Sequence, residues 1–271
     1  MRNNNIVLSL AEKKDRTRNR VYLFLPFLSV SLLIFLWFCV SRDGGAVFPS
    51  PGQTWARFIR LLERPIMRLS LWQHIIFSLR RVFIALLAAW TIGISFGILI
   101  GWSKKCNALF NPVFTGFRAV PPLAWIPLIT IWFGIDEFPK ILVVFIGALM
   151  PVVVNTHAGI SNVNKLYLDV GTMFNASTLQ KLFQIAIPSA LDAIFAGIRT
   201  STSAGWMVVL AAEMLGGKSG VGFLITRGME SGDLELVLLS MICIGLVGAA
   251  LAIITQIVER VICPWTAIKS S

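Results

Sequence analysis

The sequence predicts an all-α polytopic membrane protein with about six transmembrane helices. Of its 271 residues, 56% are hydrophobic and only 14% are charged, and the mean hydropathy is +0.78. A soluble domain carries about 25% charged residues, so this chain is too apolar to fold in water. Apolar runs of about 20 residues, the length that crosses the hydrocarbon core, alternate with shorter polar segments.

The formal net charge of +11 comes largely from lysines and arginines that flank the apolar runs. Membranes select this placement, whereas nucleic-acid binding needs a basic face with interleaved aromatic residues, which the sequence lacks. We therefore expect no nucleic-acid partner.

The four cysteines have no C-x-x-C spacing, so we interpret them as packing residues and predict no metal site: Cys39, Cys106, Cys243 and Cys263.

Residues 1–20 are polar and basic, which predicts a cytoplasmic N-terminal tail. Residues 21–40 follow as an uncharged run long enough to cross the membrane. A cleaved signal peptide is the alternative, but this run is longer than a signal core and no small-x-small cleavage site follows it. We interpret it as a retained first transmembrane helix.

Residues 41–75 predict a segment on the outer face of the membrane. Glycines and prolines interrupt its first part, and the rest places apolar and basic side chains on opposite faces of a helix. A helix of this kind lies in the plane of the interface. The apolar side chains are Trp55, Phe58, Ile59 and Leu62, and the basic ones are Arg57, Arg60 and Arg64.

Residues 76–263 predict a core domain that carries the other spans. The second span begins near His74, ends at Trp102, and is followed by a short turn at Lys104 and Lys105. Small residues four apart let a second helix approach the backbone closely in lipid, although glycines also occur in membrane helices by chance. The glycines with this spacing are Gly93, Gly97 and Gly101.

Residues 117–135 predict a third span that contains three prolines. Such irregular backbone persists in a membrane only where protein or a water-filled path covers it, so this span is the main candidate for a pathway wall. Arg118, at or near its cytoplasmic mouth, either attracts an anion or extends to the lipid headgroups. The candidate pathway residues here are Arg118, Pro121, Pro122, Trp125 and Pro127.

The fourth span covers residues 138–157 and the fifth covers residues 189–212. Arg199 lies inside the fifth span, where an arginine needs a polar partner. It is a further pathway candidate, with structural ion pairing as the alternative. The fifth span repeats the spacing of small residues at Gly197, Ser201 and Gly205.

Residues 212–219, A-E-M-L-G-G-K-S, nearly match the phosphate-binding loop G-x-x-x-x-G-K-[ST]. That loop follows a β-strand, whereas a hydrophobic helix is predicted before this segment. We interpret it as a glycine-rich outer loop with Glu213, another pathway candidate, at its edge. The sixth span covers residues 235–258.

A polar segment, residues 164–188, lies between spans four and five, and we call it the bent segment. Its first part has a narrow apolar stripe, which predicts a short amphipathic helix. Asn175 suits the left-handed conformation that ends a helix, and Ser177 with Gln180 fits the capping box that starts another. The second helix is predicted to end before Pro188. Taken alone, the pattern is also typical of a surface helical hairpin.

An even number of spans puts both termini on one side, so the tails and the bent segment are predicted to be cytoplasmic. The C-terminal tail is residues 264–271.

Neither paired acids nor a histidine-rich cluster appears, so no enzyme active site is predicted. Broken and closely packed helices with an exposed polar segment suggest a conduit that a partner drives.

The bent segment resembles the cytoplasmic signature of ATP-binding-cassette (ABC) importer permeases, E-A-A-x3-G-x9-I-x-L-P. The spacing is kept, with Asp169-Val170-Gly171 at the first three positions, Asn175 at the glycine and Ile185-Ala186-Ile187-Pro188 at the end. Three further stretches are similar to permeases of the taurine, alkanesulfonate, nitrate and bicarbonate importers. They are residues 117–135 with 140–142, residues 211–214 and residues 220–223.

This resemblance covers roughly residues 70–263 and implies the type I ABC importer permease fold in the inner (plasma) membrane. It implies a pore formed with a second copy of the permease, two ATPase subunits that bind ATP and Mg, and an external binding protein that delivers a small anionic solute. The chain itself is expected to bind no cofactor. A secondary transporter or channel, which needs no bent segment, is the alternative. The implied ATPase-coupling residues are Asp169, Val170, Gly171, Phe174, Asn175, Ala176, Ser177, Ile185 and Pro188.

Overall fold

A computed structural model describes residues 25, 27–41 and 48–264, and within these ranges the chain forms helices and no β-strand. The chain divides into two compact units, Met1–Ile59 and Arg60–Ser271. The predicted tails, residues 1–20 and all but the first residue of 264–271, lie outside the described ranges. The helices are α1 (Phe27–Val40), α2 (Pro51–Glu63), α3 (Leu71–Trp102), α4 (Lys104–Arg118), α5 (Ile126–Phe133), α6 (Glu137–Ser161), α7 (Lys165–Met173), α8 (Thr178–Gln180), α9 (Ile187–Gly216), α10 (Val221–Ser231) and α11 (Leu234–Ile262).

Four helices in the described ranges are long and apolar enough to cross a membrane: α3, α6, the helix from Thr178 to Gly216, and α11. The pair α4 and α5 makes a fifth crossing if the bent pair counts as one span, and α1 is a shorter apolar helix. These elements confirm the predicted all-α polytopic fold with about six membrane helices. The predicted helix within residues 41–75 is present as α2, and its placement at the membrane surface stays a prediction.

The three glycines of α3 pack against α6, as their spacing predicts. A Cβ added at Gly93 would lie 3.0 Å from Val152 Cγ1, and one at Gly97 would lie 2.6 Å from Thr156 Cβ. A Cβ added at Gly101 would lie 2.9 Å from Ile160 Cβ. Both series advance by four residues in the same direction, so α3 and α6 run parallel with their backbones in close contact.

Helix α9 runs antiparallel to α3 and α6. Gly197 abuts Asn155 of α6, and Trp90 Nε1 of α3 donates to Ser201 Oγ at 2.9 Å. Helix α11 packs on α9, where Trp206 Nε1 donates to the carbonyl of Ile244. The buried core therefore lies where α3, α6 and α9 meet, with α5 contributing side chains to it.

The predicted third span, residues 117–135, is interrupted at its prolines as expected, but its predicted start is wrong. Helix α4 already begins at Lys104, where Ser103 Oγ caps it, and ends at Arg118. The chain then bends by 84° before a 3-10 turn, Pro122–Trp125, leads into α5. Pro121 and Pro122 donate no backbone hydrogen bond, and a residue before proline is driven out of the helical conformation. We call residues 119–121 the helix break.

The second helix of the bent segment does not end before Pro188, so this prediction is also wrong. Helix α8 continues through a π-helical stretch, Lys181–Ala186, into α9. The Ile187 N–H bonds to the Leu182 carbonyl, five residues back. Pro188 then falls in the first turn of α9, where its missing N–H is tolerated.

Candidate functional site

The bent segment consists of two short helices joined at a corner. Asn164 caps α7 through the Leu166 N–H at 3.0 Å. Asn175 adopts the predicted left-handed conformation, with φ of 52°. Ser177 and Gln180 form the predicted reciprocal capping box, with hydrogen bonds of 2.7 and 3.3 Å between each side chain and the other residue's N–H. The local signals of the sequence therefore correctly placed both helix ends at the corner.

The two arms of the bent segment are held together by contacts across the corner. The Ala176 N–H bonds to the Gly171 carbonyl at 2.9 Å, and Lys181 Nζ donates to Thr172 Oγ1 at 2.8 Å. Gly171 is buried, and a Cβ there would lie 2.7 Å from Ile185 Cδ1. The small residue at position 171 thus allows the second arm to fold closely against the first.

The bent segment carries several large apolar side chains that are exposed. Met173 and Phe174 are each 83% exposed, although both are adjacent to the corner. Further exposed apolar side chains are Leu166, Tyr167, Val170, Leu179 and Phe183. Of the other predicted coupling residues, Asp169, Asn175, Ser177 and Pro188 are exposed, while Ala176 and Ile185 are half-buried. Exposed apolar side chains on a polar protrusion are typical of a protein interface.

A buried ionic cluster lies at the opposite end of the bundle, where α3 and α6 begin and α9 ends. The Arg81 side chain is 2% exposed, and its Nη1 donates to Glu213 Oε1 at 2.5 Å. Its Nε and Nη2 donate to the two carboxylate oxygens of Glu137 at 2.8 and 2.7 Å. Further bonds to the carbonyl and hydroxyl of Ser219 use all five N–H donors of the guanidinium.

The same cluster fastens the turn between α9 and α10. Ser78 Oγ donates to the Glu213 carboxylate and accepts from the Val221 N–H, while the Gly222 N–H donates to Glu213 Oε2. Gly220 has φ of 109°, and a Cβ there would collide with the Glu213 carboxylate. Glycine at position 220 therefore satisfies both the backbone conformation and the space beside the buried acid.

Glu213 is fully buried and lies inside α9, four residues before Gly217, where the predicted loop begins. The phosphate-loop-like segment begins inside α9, and only Gly217 to Gly220 form a turn. The Gly220 N–H also donates to His74 Nδ1 at 3.1 Å. The roles of Arg81, Glu137, Ser78 and His74 in this cluster were not predicted. Arg81 and His74 at the start of an apolar span were the available signal, because polar and charged groups buried in such a span require partners. The described residues contain no group of three or more potential metal-binding side chains.

The pathway candidates separate into two places. Arg118, Pro121, Pro122, Trp125 and Pro127 surround the helix break, where Trp125 packs against Phe117 with ring centroids 4.9 Å apart. Arg199 lies elsewhere on α9, and its Nη1 donates to Glu259 Oε2 of α11 at 2.6 Å. The sequence left two roles open for Arg199, lining the pathway or pairing with another charge, and this contact is an ion pair of the second kind. Whether any of these residues lines a pathway stays a prediction.

Residues 93–267 match the sequence profile of a family described as the binding-protein-dependent transport system inner membrane component. The chain is 30% identical over 241 residues to the taurine transport system permease protein of Escherichia coli, covering 88% of each. It is 32% identical over 244 residues to the nitrate import permease protein of a Synechocystis species, covering 88% of this chain and 89% of that one. A putative aliphatic sulfonates transport permease protein of Bacillus subtilis is 30% identical over 258 residues, covering 94% and 92%.

The fold is similar to that of a chain in the MetNI methionine ABC transporter, solved in inward-facing conformations. The TM-score is 0.61 at 14% sequence identity, and the match covers 68% of this chain and 92% of that chain. At this identity the similarity concerns the fold alone.

Proposed function

Because the chain belongs to the family of binding-protein-dependent transport system inner membrane components, we propose that it forms, as a dimer, the membrane pathway of an ATP-driven importer. It is an ABC permease of the type that includes taurine, nitrate and sulfonate permeases, and it is a transport subunit rather than a catalytic one. Two ATPase subunits bind ATP and Mg, and an external binding protein delivers the solute. The bent segment and both termini face the cytoplasm.

The exposed apolar surface of the bent segment carries this proposal. Met173 and Phe174 extend from a corner that is rigid because both helices are capped and the arms are hydrogen-bonded to each other. A rigid protrusion with an unpartnered apolar tip is suited to receive a separate protein that moves it. The ATPase is the partner that the ABC family implies for this surface.

Helix continuity supports a mechanical role for the bent segment. The second arm passes through the π-helical stretch into α9, which makes one helix of 39 residues from Thr178 to Gly216. At about 1.5 Å per residue, this helix extends roughly 58 Å, from the bent segment to the buried ionic cluster. A force applied to the bent segment therefore reaches the far end of the bundle through a single element, which suits alternating access.

The substrate class follows from what the relatives are named for. Taurine, aliphatic sulfonates and nitrate all carry an oxyanion group, and permeases of all three resemble this chain over most of its length. We infer that the solute is a small molecule of this kind.

Variants of the bent segment test the proposal. Asp169→Ala, or deletion of residues 176–179, is expected to release the ATPase in a detergent pull-down and to abolish ATP-dependent uptake. The membrane helices are expected to insert normally, which protease protection measures. Undiminished ATPase co-purification together with normal uptake would contradict the coupling role. Uptake that needs no ATP would support a secondary transporter or channel instead.

A further inference from the structure

Arg118 is the last residue of α4, so it lies midway along the bent pair formed by α4 and α5. One turn before it, Phe114 packs in a cluster with Ile100 and Val153. Four residues after it, Pro122 lies beside α6, where a Cβ added at Gly147 would be 3.4 Å from Pro122 Cβ. Gly147 and Val153 lie on either side of the midpoint of α6, each roughly 12–15 Å from the nearer helix end at 1.5 Å per residue.

The charge of Arg118 is not neutralised by any described residue. Its side chain is exposed and has neither a hydrogen bond nor an ion pair within the described ranges. Arg199, by contrast, is paired with Glu259. At this depth the headgroups are out of reach of a side chain, and a lipid-facing arginine is costly. The guanidinium therefore faces water or the second copy of the chain, where a pathway between two permeases would run.

A second hydrogen-bond donor without a partner lies seven residues further along the chain, after the helix break. Trp125 Nε1 is covered and has no hydrogen-bond acceptor among the residues that the structure describes. Its ring packs against Phe117, the residue next to Arg118. A buried donor without an acceptor raises the free energy of the protein, and an arriving acceptor lowers it. Arg118 is exposed and Trp125 Nε1 is covered, so Arg118 is the group that a solute can reach. A guanidinium suits an acceptor that carries negative charge.

We propose that Arg118 binds the oxyanion group of the solute at the helix break, halfway along the pathway, and thereby makes the permease itself selective for anions. This inference rests on the proposed import function. The planar fork of the guanidinium matches two oxygens of a nitrate, sulfonate or carboxylate group. Selection by the permease would act in addition to selection by the binding protein.

A charge series tests the role of Arg118 in transport. The full chain, with its ATPase and binding protein in proteoliposomes, is assayed with labelled taurine, nitrate and methanesulfonate. For whichever probe the wild type imports, Arg118→Gln is expected to lower uptake roughly ten- to a hundredfold, while Arg118→Lys keeps part of it. Lys105→Gln removes the same charge from the other end of α4 and is expected to leave uptake unchanged. Uptake by Arg118→Gln at the wild-type rate would overturn the inference.

An accessibility measurement tests the same inference in a second way. In a chain whose four native cysteines are replaced by alanine, Arg118→Cys is treated with water-soluble thiosulfonates in sealed membranes. The introduced thiol is expected to react, and a cationic adduct is expected to retain more uptake than an anionic one. An unreactive thiol would show that position 118 faces lipid and would overturn the inference. ATP-dependent uptake by the wild type that is absent for every probe would instead contradict the proposed substrate class.

Discussion

Arg81 Nη1 lies 2.5 Å from Glu213 Oε1, and both side chains are shielded from solvent. This pair joins α3 to α9 at the end of the bundle opposite the bent segment. The Arg81→Ala variant leaves Glu213 as a buried charge without its cation, which costs about 3–5 kcal/mol of stability. We expect a large fall in the thermal unfolding temperature of the purified chain.

The matched control is Arg227→Ala, which removes an arginine from an exposed ion pair with Glu230 at 3.6 Å. Exposed pairs contribute about 0–1 kcal/mol, so this variant is expected to unfold close to the wild-type temperature. Equal effects of the two substitutions would contradict the structural role of the buried ionic cluster.

Close contact between α3 and α6 at Gly97 predicts a packing defect in Gly97→Ala. The added Cβ would lie 2.6 Å from Thr156 Cβ, so the two backbones must separate, at a cost of about 1–3 kcal/mol. Gly245→Ala on α11 is the control, because a Cβ there meets nothing within 4 Å. Thermal unfolding in detergent is expected to show a loss only for the first variant, and a loss in both would indicate that glycine itself, not the contact, matters.

Much of the bent segment was predictable because its determinants are local. Capping by Ser177 and Gln180, and the left-handed residue Asn175, depend on neighbours a few positions away. The prolines indicated irregular backbone but not where α4 starts, because Lys104 and Lys105 look like a turn in sequence. In the buried ionic cluster, Arg81 bonds to Glu137, 56 positions away, and to Glu213, 132 positions away. Patterns of neighbouring residues do not predict contacts between positions so far apart in sequence.

The corner at Asn175 predicts an effect of residue shape on coupling. Asn175→Gly keeps the left-handed conformation available and is expected to retain the ATPase in a pull-down. Asn175→Val forces a β-branched residue to φ of 52°, which is strained by roughly 1–2 kcal/mol or more, and is expected to weaken retention. Thr178→Val places the same side chain in the helix as a control, and it is expected to retain the ATPase. A valine tolerated equally at both positions would contradict the need for a fixed corner.

The ion pair between Arg199 and Glu259 predicts rescue by charge exchange. Arg199→Glu places two acids together and is expected to lower both unfolding temperature and uptake, whereas the double variant Arg199→Glu with Glu259→Arg is expected to recover both. The double variant could instead recover its unfolding temperature while its uptake stays as low as that of Arg199→Glu. That result would contradict a purely structural role and would indicate that Arg199 acts on the solute directly.

The most direct test of the central claim, that a separate ATPase binds the bent segment, is site-specific photo-crosslinking. A photoreactive phenylalanine analogue at position 174, whose side chain is 83% exposed, is expected to form an adduct with the ATPase subunit. The same analogue in place of Ile131 on α5, which is 79% exposed, is expected to form none. An adduct at both positions, or at neither, would contradict the account.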